Sequence, residues 1–297
     1  FDRVYFCNSG SEAFESAVKL SRKWGNPQGK TEIIGFSGGF HGRTYAPLSV
    51  MDRPLYKDGM EPFLTNTEVL PFNDSVALRK AVNHNTCALA LEFLQGEGGV
   101  TSATAEFVET IEELRREYGF LLIADEVQAG GGRTGTFFGY QHHGIQPDIV
   151  TMAKAIGGGL PLGAMLARED VAQVWKSGMH GTTYGGNALS CVAGLVVLEE
   201  LKNGVIDNVN QIGEYLKHEL SKLKIEFPTM ILELRGRGLM QGIVVNGEAL
   251  PFVTALLSRG VIANATAGNV IRLLPPLTIT KGDVDEFIGH LREVIAS

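Results

Sequence analysis

Short apolar runs and longer amphipathic stretches take turns along most of this chain. The runs VYFC (4–7), TEIIGF (31–36), EVLPF (68–72), CALALEF (87–93), FLLIAD (120–125), DIVTMA (148–153) and LGAMLA (162–167) have the length and β-branched content of strands. Between them, residues 11–24 place Phe14, Ala17, Val18 and Leu20 on one helical face, and residues 107–118 do the same with Val108, Ile111 and Leu114. The alternation predicts an α/β fold, a mostly parallel sheet with helices on both faces, in which ligands gather at the carboxyl ends of the strands. Near residue 205 the texture changes. A helix is followed by GLMQGIVV (238–245), GVIANAT (260–266) and VIRLLPPL (270–277), and an amphipathic helix over 281–296 closes the chain behind a Thr280 cap. This predicts a large domain over residues 1–205 and a smaller C-terminal α+β domain over 206–297. No internal repeat or low-complexity linker breaks the pattern.

Composition narrows the function. The 297 residues are 44% hydrophobic and 20% charged, enough for a substantial core. The net charge of −7 is scattered in both signs, which points away from nucleic acid and anionic membranes and toward a small metabolite. No run is long enough to span a bilayer, and residues 1–6 read as a strand rather than a signal peptide, so the chain is expected to start inside a fold. Cys7, Cys87 and Cys191 are odd in number and set in apolar stretches, which fits reduced core thiols in a cytoplasmic setting and no metal site. Glycine is in excess, 37 of 297 residues, where about 7% is usual.

Several strand ends carry polar groups that a core does not need. Strand VYFC runs through Asn8, Ser9, Gly10 and Ser11 straight into a helix, with Ser9 and Glu12 spaced as a capping box. The amides of Gly10 and Ser11 suit a phosphate at that helix start, although a plain capped helix explains the same residues. In GGFHGRT (38–44), Phe40 and Arg43 sit in a glycine-framed turn and suggest a planar ligand with a carboxylate nearby. His41 reads as structural. Glu97 lies between glycines in QGEGGV, where a loop carboxylate is ordinarily just solvated.

The run LLIADE ends a buried strand in two adjacent acids, and a buried carboxylate needs a cationic partner. Lys154 ends the next strand, before AIGGGLP, so in a parallel sheet Asp125 and Lys154 emerge at the same edge. A structural ion pair is one explanation. A ligand with a protonated ring nitrogen is another, and it gives Asp125 its cation while a desolvated Lys154 becomes nucleophilic and able to form an imine. Phosphate cradle, stacking ring, acid and imine-forming lysine together match the needs of pyridoxal phosphate.

In this order the motifs NSGSEA, FHGRT, QGEGG, ADEVQAGGGRTG, TMAKAIGGGLPLGAM, HGTTYGGN, RGRGLMQG and IRLLPPL resemble class III (subgroup II) aminotransferases across nearly the whole chain. Within that class the acetylornithine enzymes are the nearest likeness, with ornithine and 4-aminobutyrate aminotransferases next. The resemblance implies the pyridoxal-phosphate transferase fold of type I and a homodimer with shared sites. It implies that Gly10 and Ser11 bind phosphate, Phe40 stacks on the ring, Asp125 holds the ring nitrogen and Gln128 the ring hydroxyl. Lys154 carries the cofactor and shuttles a proton, and Thr183 reaches the partner's phosphate. For substrate it implies Arg43, Thr182, Glu97 and Arg272, with Arg272 taking the α-carboxylate of glutamate or 2-oxoglutarate and Glu97 covering it while an ω-amino donor is bound. The implied role is arginine biosynthesis, in the cytoplasm, or in the mitochondrial matrix of a eukaryote.

The chain departs from that pattern in places. Ser11 stands where Thr is usual, Phe93-Leu94 where Pro-Ile is common, and Phe14 where Asn is common, the last two expected beside the pocket. The family's N-terminal segment is expected to be missing. Competing readings are a glutamate-semialdehyde aminomutase, disfavoured by Arg43, an NAD-dependent oxidoreductase, disfavoured because no G-x-G-x-x-G follows the first strand, and a non-catalytic partner subunit.

Overall fold

The apolar runs become strands of a single sheet in the computed structural model, which describes residues 1–296. Strands β1 (Arg3–Cys7), β2 (Glu32–Phe36), β3 (Thr67–Leu70), β4 (Thr86–Leu91), β7 (Leu121–Asp125), β8 (Ile149–Met152) and β9 (Gly163–Ala167) lie in the order β1-β9-β8-β7-β4-β2-β3. The short pair β5 (Leu94–Gln95) and β6 (Thr101–Ser102) forms a separate ribbon. Strand β9 is antiparallel to both β8 and β1, while the remaining neighbours pair in parallel. Reversing once through β9 returns β1 to the direction of β7 and β8, so the carboxyl ends of all three open on one edge. That edge carries the polar residues singled out above.

The sheet is buried on both faces because its central strands have no polar alternation to expose. In β7, Leu122 and Ala124 join a cluster with Phe36, Leu91, Phe107 and Ile111 on one side. Leu121 and Ile123 join Phe14, Ala17, Leu20 and Ile33 on the other. Each such side chain contributes about 1.5–3 kcal/mol by leaving water. Helix Ala105–Tyr118 covers the first face, started by Thr104, whose hydroxyl accepts the Phe107 N–H, and ended by Gly119 in a left-handed conformation. Helix Gly10–Gly25 covers the second.

Beyond the sheet, helix Ala188–Glu200 runs through a π-helical turn, Leu201–Val205, into helix Ile206–Glu226. Gly204, at φ +116°, makes the kink. Strands β10 (Ile231–Arg237), β11 (Met240–Val245), β12 (Asn264–Thr266) and β13 (Val270–Leu273) form an antiparallel sheet in the order β10-β11-β13-β12. Its core joins Ile243, Val245 and Ile271 to Val209, Leu216 and Leu220 of one helix and Ile288 and Leu291 of the closing helix Lys281–Ala296. Among the described residues no helix is long and apolar enough to cross a membrane.

Candidate active site

The ends of β1, β7 and β8 meet at a cavity of about 440 Å³, lined by Ser9, Gly10, Ser11, Phe40, Asp125 and Lys154 among others. Helix Gly10–Gly25 begins here. Ser9 caps it by accepting the Glu12 N–H at 3.3 Å, but the reciprocal bond goes one residue further back than a capping box requires: Glu12 accepts the Asn8 N–H at 2.7 Å. The amides of Gly10 and Ser11, in the first turn, have no acceptor inside the helix. Gly42, at φ +129°, packs so closely on this turn that a Cβ there would lie 2.2 Å from Ser11 Oγ. The cradle is closed by glycine because nothing larger fits.

Asp125 answers the question posed by its strand. Oδ1 accepts Thr151 Oγ1 at 3.0 Å and the Val127 N–H at 3.1 Å, which saturates it. Oδ2 is paired with Nδ1 of buried His41 at 2.7 Å. A carboxylate in that position keeps the proton on His41 Nδ1, and Nε2 on the far side of the ring is buried without a partner. Phe14 stacks on the imidazole, with centroids 4.5 Å apart and planes 13° from parallel. One lone pair of Oδ2 is therefore left for a donor in the cavity.

The neighbouring acids have other fates. Glu126 turns back into the core, where its carboxyl accepts the N–H groups of Gly139 at 2.7 Å and Tyr140 at 2.9 Å. Burial pushes it up to about 7, against the pull of those two donors. Glu92, at the end of β4, accepts the Phe40 N–H at 3.0 Å, and burial raises it well above its ordinary range while His41 opposes and Asp125 adds to the rise.

Lys154 opens a 3-10 turn, Lys154–Gly157, at φ +52°. A non-glycine residue held there stores about 1–3 kcal/mol of strain, which the packed ends of β7 and β8 sustain. Its side chain is open to solvent through the cavity, yet the surrounding protein is dense enough that desolvation lowers its pKa, against the attraction of Asp125 and Glu92. Its Nζ has no hydrogen bond or ion pair among the described residues.

A second cavity of about 350 Å³ shares Phe40 and Lys154 with the first and adds Glu97, Gln128, Arg133 and Arg272. Arg272, in the middle of β13, is 8% exposed. Its Nη1 donates to Glu97 Oε1 at 2.7 Å and Gln128 Oε1 at 3.2 Å, and Nη2 donates to Asn264 Oδ1 at 3.0 Å. Arg133 reaches the carbonyls of Leu239 and Pro275, and burial pushes it down to about 10.

Eight of the residues expected from the sequence, Gly10, Ser11, Phe40, Glu97, Asp125, Gln128, Lys154 and Arg272, thus line one pair of cavities; three others do not. Arg43 is exposed and lies over the Tyr56 ring, 4.5 Å from its centroid. Thr182 Oγ1 sits 3.1 Å from Asn8 Nδ2, beside the helix start, and Thr183 is exposed. Phe14, Phe93 and Leu94, expected beside the pocket, line neither cavity. Phe14 lies behind the site under His41, Phe93 packs in the core of the large sheet, and Leu94 packs in a separate cluster with Val100 and Met240. The residues that sequence reasoning missed are His41, Thr151, Glu92 and Arg133. Only the position of Glu92 at a strand end, like Asp125, offered a signal.

This set fits pyridoxal phosphate. It offers two free amides in a glycine-closed turn, a carboxylate oxygen with an open lone pair, and an amine of lowered basicity with no partner.

The family described as aminotransferase class-III matches residues 1–295. Acetylornithine aminotransferase of Aquifex aeolicus is 42% identical over 295 residues, covering 99% of this chain and 77% of that protein. The enzyme of the same name from Archaeoglobus fulgidus is 44% identical over 288 residues, covering 97% and 74%. Among solved structures, ornithine aminotransferase from Toxoplasma gondii superposes with a TM-score of 0.94 at 31% identity, covering 100% of this chain and 73% of that one.

Proposed function

The chain belongs to the class-III aminotransferase family, and from that premise we propose that it moves the ω-amino group of N-acetylornithine, or of a related ω-amino acid, to 2-oxoglutarate, giving a semialdehyde and glutamate. The observation that carries the substrate reading is the buried Arg272 guanidinium with a half-buried Glu97 across from it at 2.7 Å. The names of the most similar relatives support the acyl-ornithine donor, and ornithine itself is the second reading, supported by the Toxoplasma gondii likeness. The role in arginine biosynthesis and a cytoplasmic location follow from the same reading.

The cofactor is pyridoxal phosphate, which supplies an aldehyde for an amine and a ring that accepts the electron pair left when a proton departs the substrate carbon. Gly10 and Ser11 donate their amides to its phosphate. Phe40 would pack on its ring, Asp125 Oδ2 would accept from its ring nitrogen, and Gln128 would hold its ring hydroxyl. Lys154 Nζ would hold the cofactor through its aldehyde carbon, and the same amine is placed to carry a proton to and from the substrate carbon. A backbone held at positive φ aims that nitrogen, and desolvation lowers its hold on a proton against the attraction of Asp125 and Glu92.

Arg272 binds the α-carboxylate of glutamate or 2-oxoglutarate. When the ω-amino donor is bound there is no carboxylate at that place, and Glu97 neutralises Arg272 instead. Arg43 and Thr182 serve the distal carboxylate of the donor once it is bound. The same reading assigns residues 1–205 to cofactor holding and 206–297 to the smaller lobe, with the Gly204 kink between them. It makes the working unit a homodimer in which Thr183 serves the partner's phosphate. Exposed Leu189, Val192, Leu195 and Val196 on the helix that follows Thr183 support this, because a contiguous apolar patch of this kind marks a surface that meets another chain.

The test is a screen of N-acetylornithine, ornithine, 4-aminobutyrate and glutamate semialdehyde against 2-oxoglutarate, with borohydride trapping to locate the attached lysine. Glutamate formed fastest from N-acetylornithine, with the label on Lys154, is the expected result. A label on another lysine, or no glutamate from any ω-amino donor, overturns the reading.

A further inference from the structure

Arg53 stands outside both cavities and has no part in the chemistry described above. Its Nη2 donates to two carbonyl oxygens at once, Gly38 at 3.1 Å and Glu97 at 2.9 Å. Its Nε is buried with no partner. A half-buried cation that faces carbonyls rather than a carboxylate is poorly compensated in charge, so what it contributes is geometry. Next to it, Asp52 Oδ1 accepts the Gly38 N–H at 3.0 Å, so Gly38 is gripped by both of its backbone groups. Gly38, at φ +74°, is the turn that leads from β2 to Phe40. A Cβ there would lie 2.7 Å from Gln95 Oε1, just ahead of the Glu97 loop.

The Glu97 carbonyl has a second donor. Thr266 Oγ1, buried on strand β12, reaches it at 2.8 Å. The carbonyl of Glu97 is thus held from one side by Arg53, ahead of the short turn Pro54–Tyr56, and from the small sheet by Thr266. Its carboxylate is half-buried and bonded to Arg272.

We infer that Arg53 is a positioning residue for Glu97: it fixes the peptide so that only the side chain can swing, and the carboxylate returns to Arg272 whenever no substrate carboxylate is there. This rests on the switching role proposed for Glu97. The two hydrogens of Nη2 each take one carbonyl in a plane fixed by the guanidinium, whereas a lysine ammonium has enough donors for both but sits on a shorter, freely rotating stem and holds the pair less rigidly. Loss of Arg53 leaves Glu97 free to settle elsewhere, and Arg272 then meets the ω-amino donor as an uncompensated charge.

The experiment follows the two half-reactions of the holoenzyme separately by single-turnover absorbance, with hydrogen exchange at the Gly96–Gly98 amides as an independent readout. Arg53→Met should slow the half-reaction with the ω-amino donor about tenfold while changing that with glutamate less than about twofold. Arg53→Lys should restore part of the difference, and it carries the test if Arg53→Met does not fold. In a Glu97→Gln background Arg53→Met should add no further difference, and exchange at Gly96–Gly98 should quicken in Arg53→Met alone. Equal losses in both half-reactions, or a difference that persists in full without Glu97, overturn the inference. If Glu97→Gln alone treats both half-reactions alike, the switching role fails, and exchange still decides on Arg53: unchanged exchange removes it.

Discussion

Replacing Glu126 by glutamine should flatten the dependence of stability on pH. The folded protein holds this carboxyl at about 7 rather than 4.5, because burial outweighs the two amides that favour its anion. That rise corresponds to about 3 kcal/mol, at about 1.4 kcal/mol per pH unit. The direction follows from proton counting. Between those pH values the folded state keeps a proton that the unfolded chain has released, so the contribution is present in full below 4.5 and is lost as pH rises toward 7. Glutamine cannot titrate. It also sets an NH₂ against one of the N–H donors of Gly139 and Tyr140, which costs about 1–3 kcal/mol at every pH. Glu126→Gln should therefore be less stable than the parent near pH 4.5 by that amount, and equal to it or more stable at pH 8. Urea unfolding midpoints of both proteins at four pH values between these limits measure the gap. Glu92 is present in both proteins, where its own burial is the largest cause of its rise, so it contributes to both curves. A gap that stays constant across the range would show that Glu126 is as ionised folded as unfolded, and that burial does not penalise it.

Asp125→Ala should still allow attachment at Lys154 but slow proton abstraction by orders of magnitude, read from single-turnover kinetics, since the ring nitrogen loses its partner; near-normal turnover makes the acid structural. Glu97→Ala should slow the half-reaction with the ω-amino donor about tenfold or more and leave that with glutamate nearly intact, whereas Arg272→Ala should chiefly raise the KM for glutamate. Equal losses in both half-reactions of Glu97→Ala rule out the switch. Leu195→Asp, on the exposed apolar helix face, should shift sedimentation to the monomer and lower activity with it; a fully active monomer would remove the shared-site role of Thr183.

The parts of this molecule that sequence reveals are those with a period. Leu121–Asp125 is legible because a strand buried on both faces has no reason to end in an acid, and Lys154 because the next strand ends at the same edge. His41 is not legible, since a single histidine in a glycine turn carries no period and its partner lies in another strand. Arg53 and Arg133 are hidden for a related reason. They bind carbonyl oxygens, which every residue has, so nothing in the partner's identity marks the contact. The Glu12 carboxylate bonds the Asn8 N–H, one residue before the expected capping box, and also meets Thr182 from a distant segment, a contact that no local spacing marks.

The pairing of β1 with β9 sets an order of events in synthesis. Arg3 pairs with Ala167 and Cys7 with Gly163, so the segment leading into the Gly10–Ser11 cradle emerges from the ribosome long before the strand it docks on. At about 5–20 residues per second the wait is roughly 10–30 s. Through that interval β1 lacks its one neighbour in the sheet. A pause or truncation before residue 163 therefore leaves the strand that runs into the Gly10–Ser11 turn unpaired and its edge open to other chains.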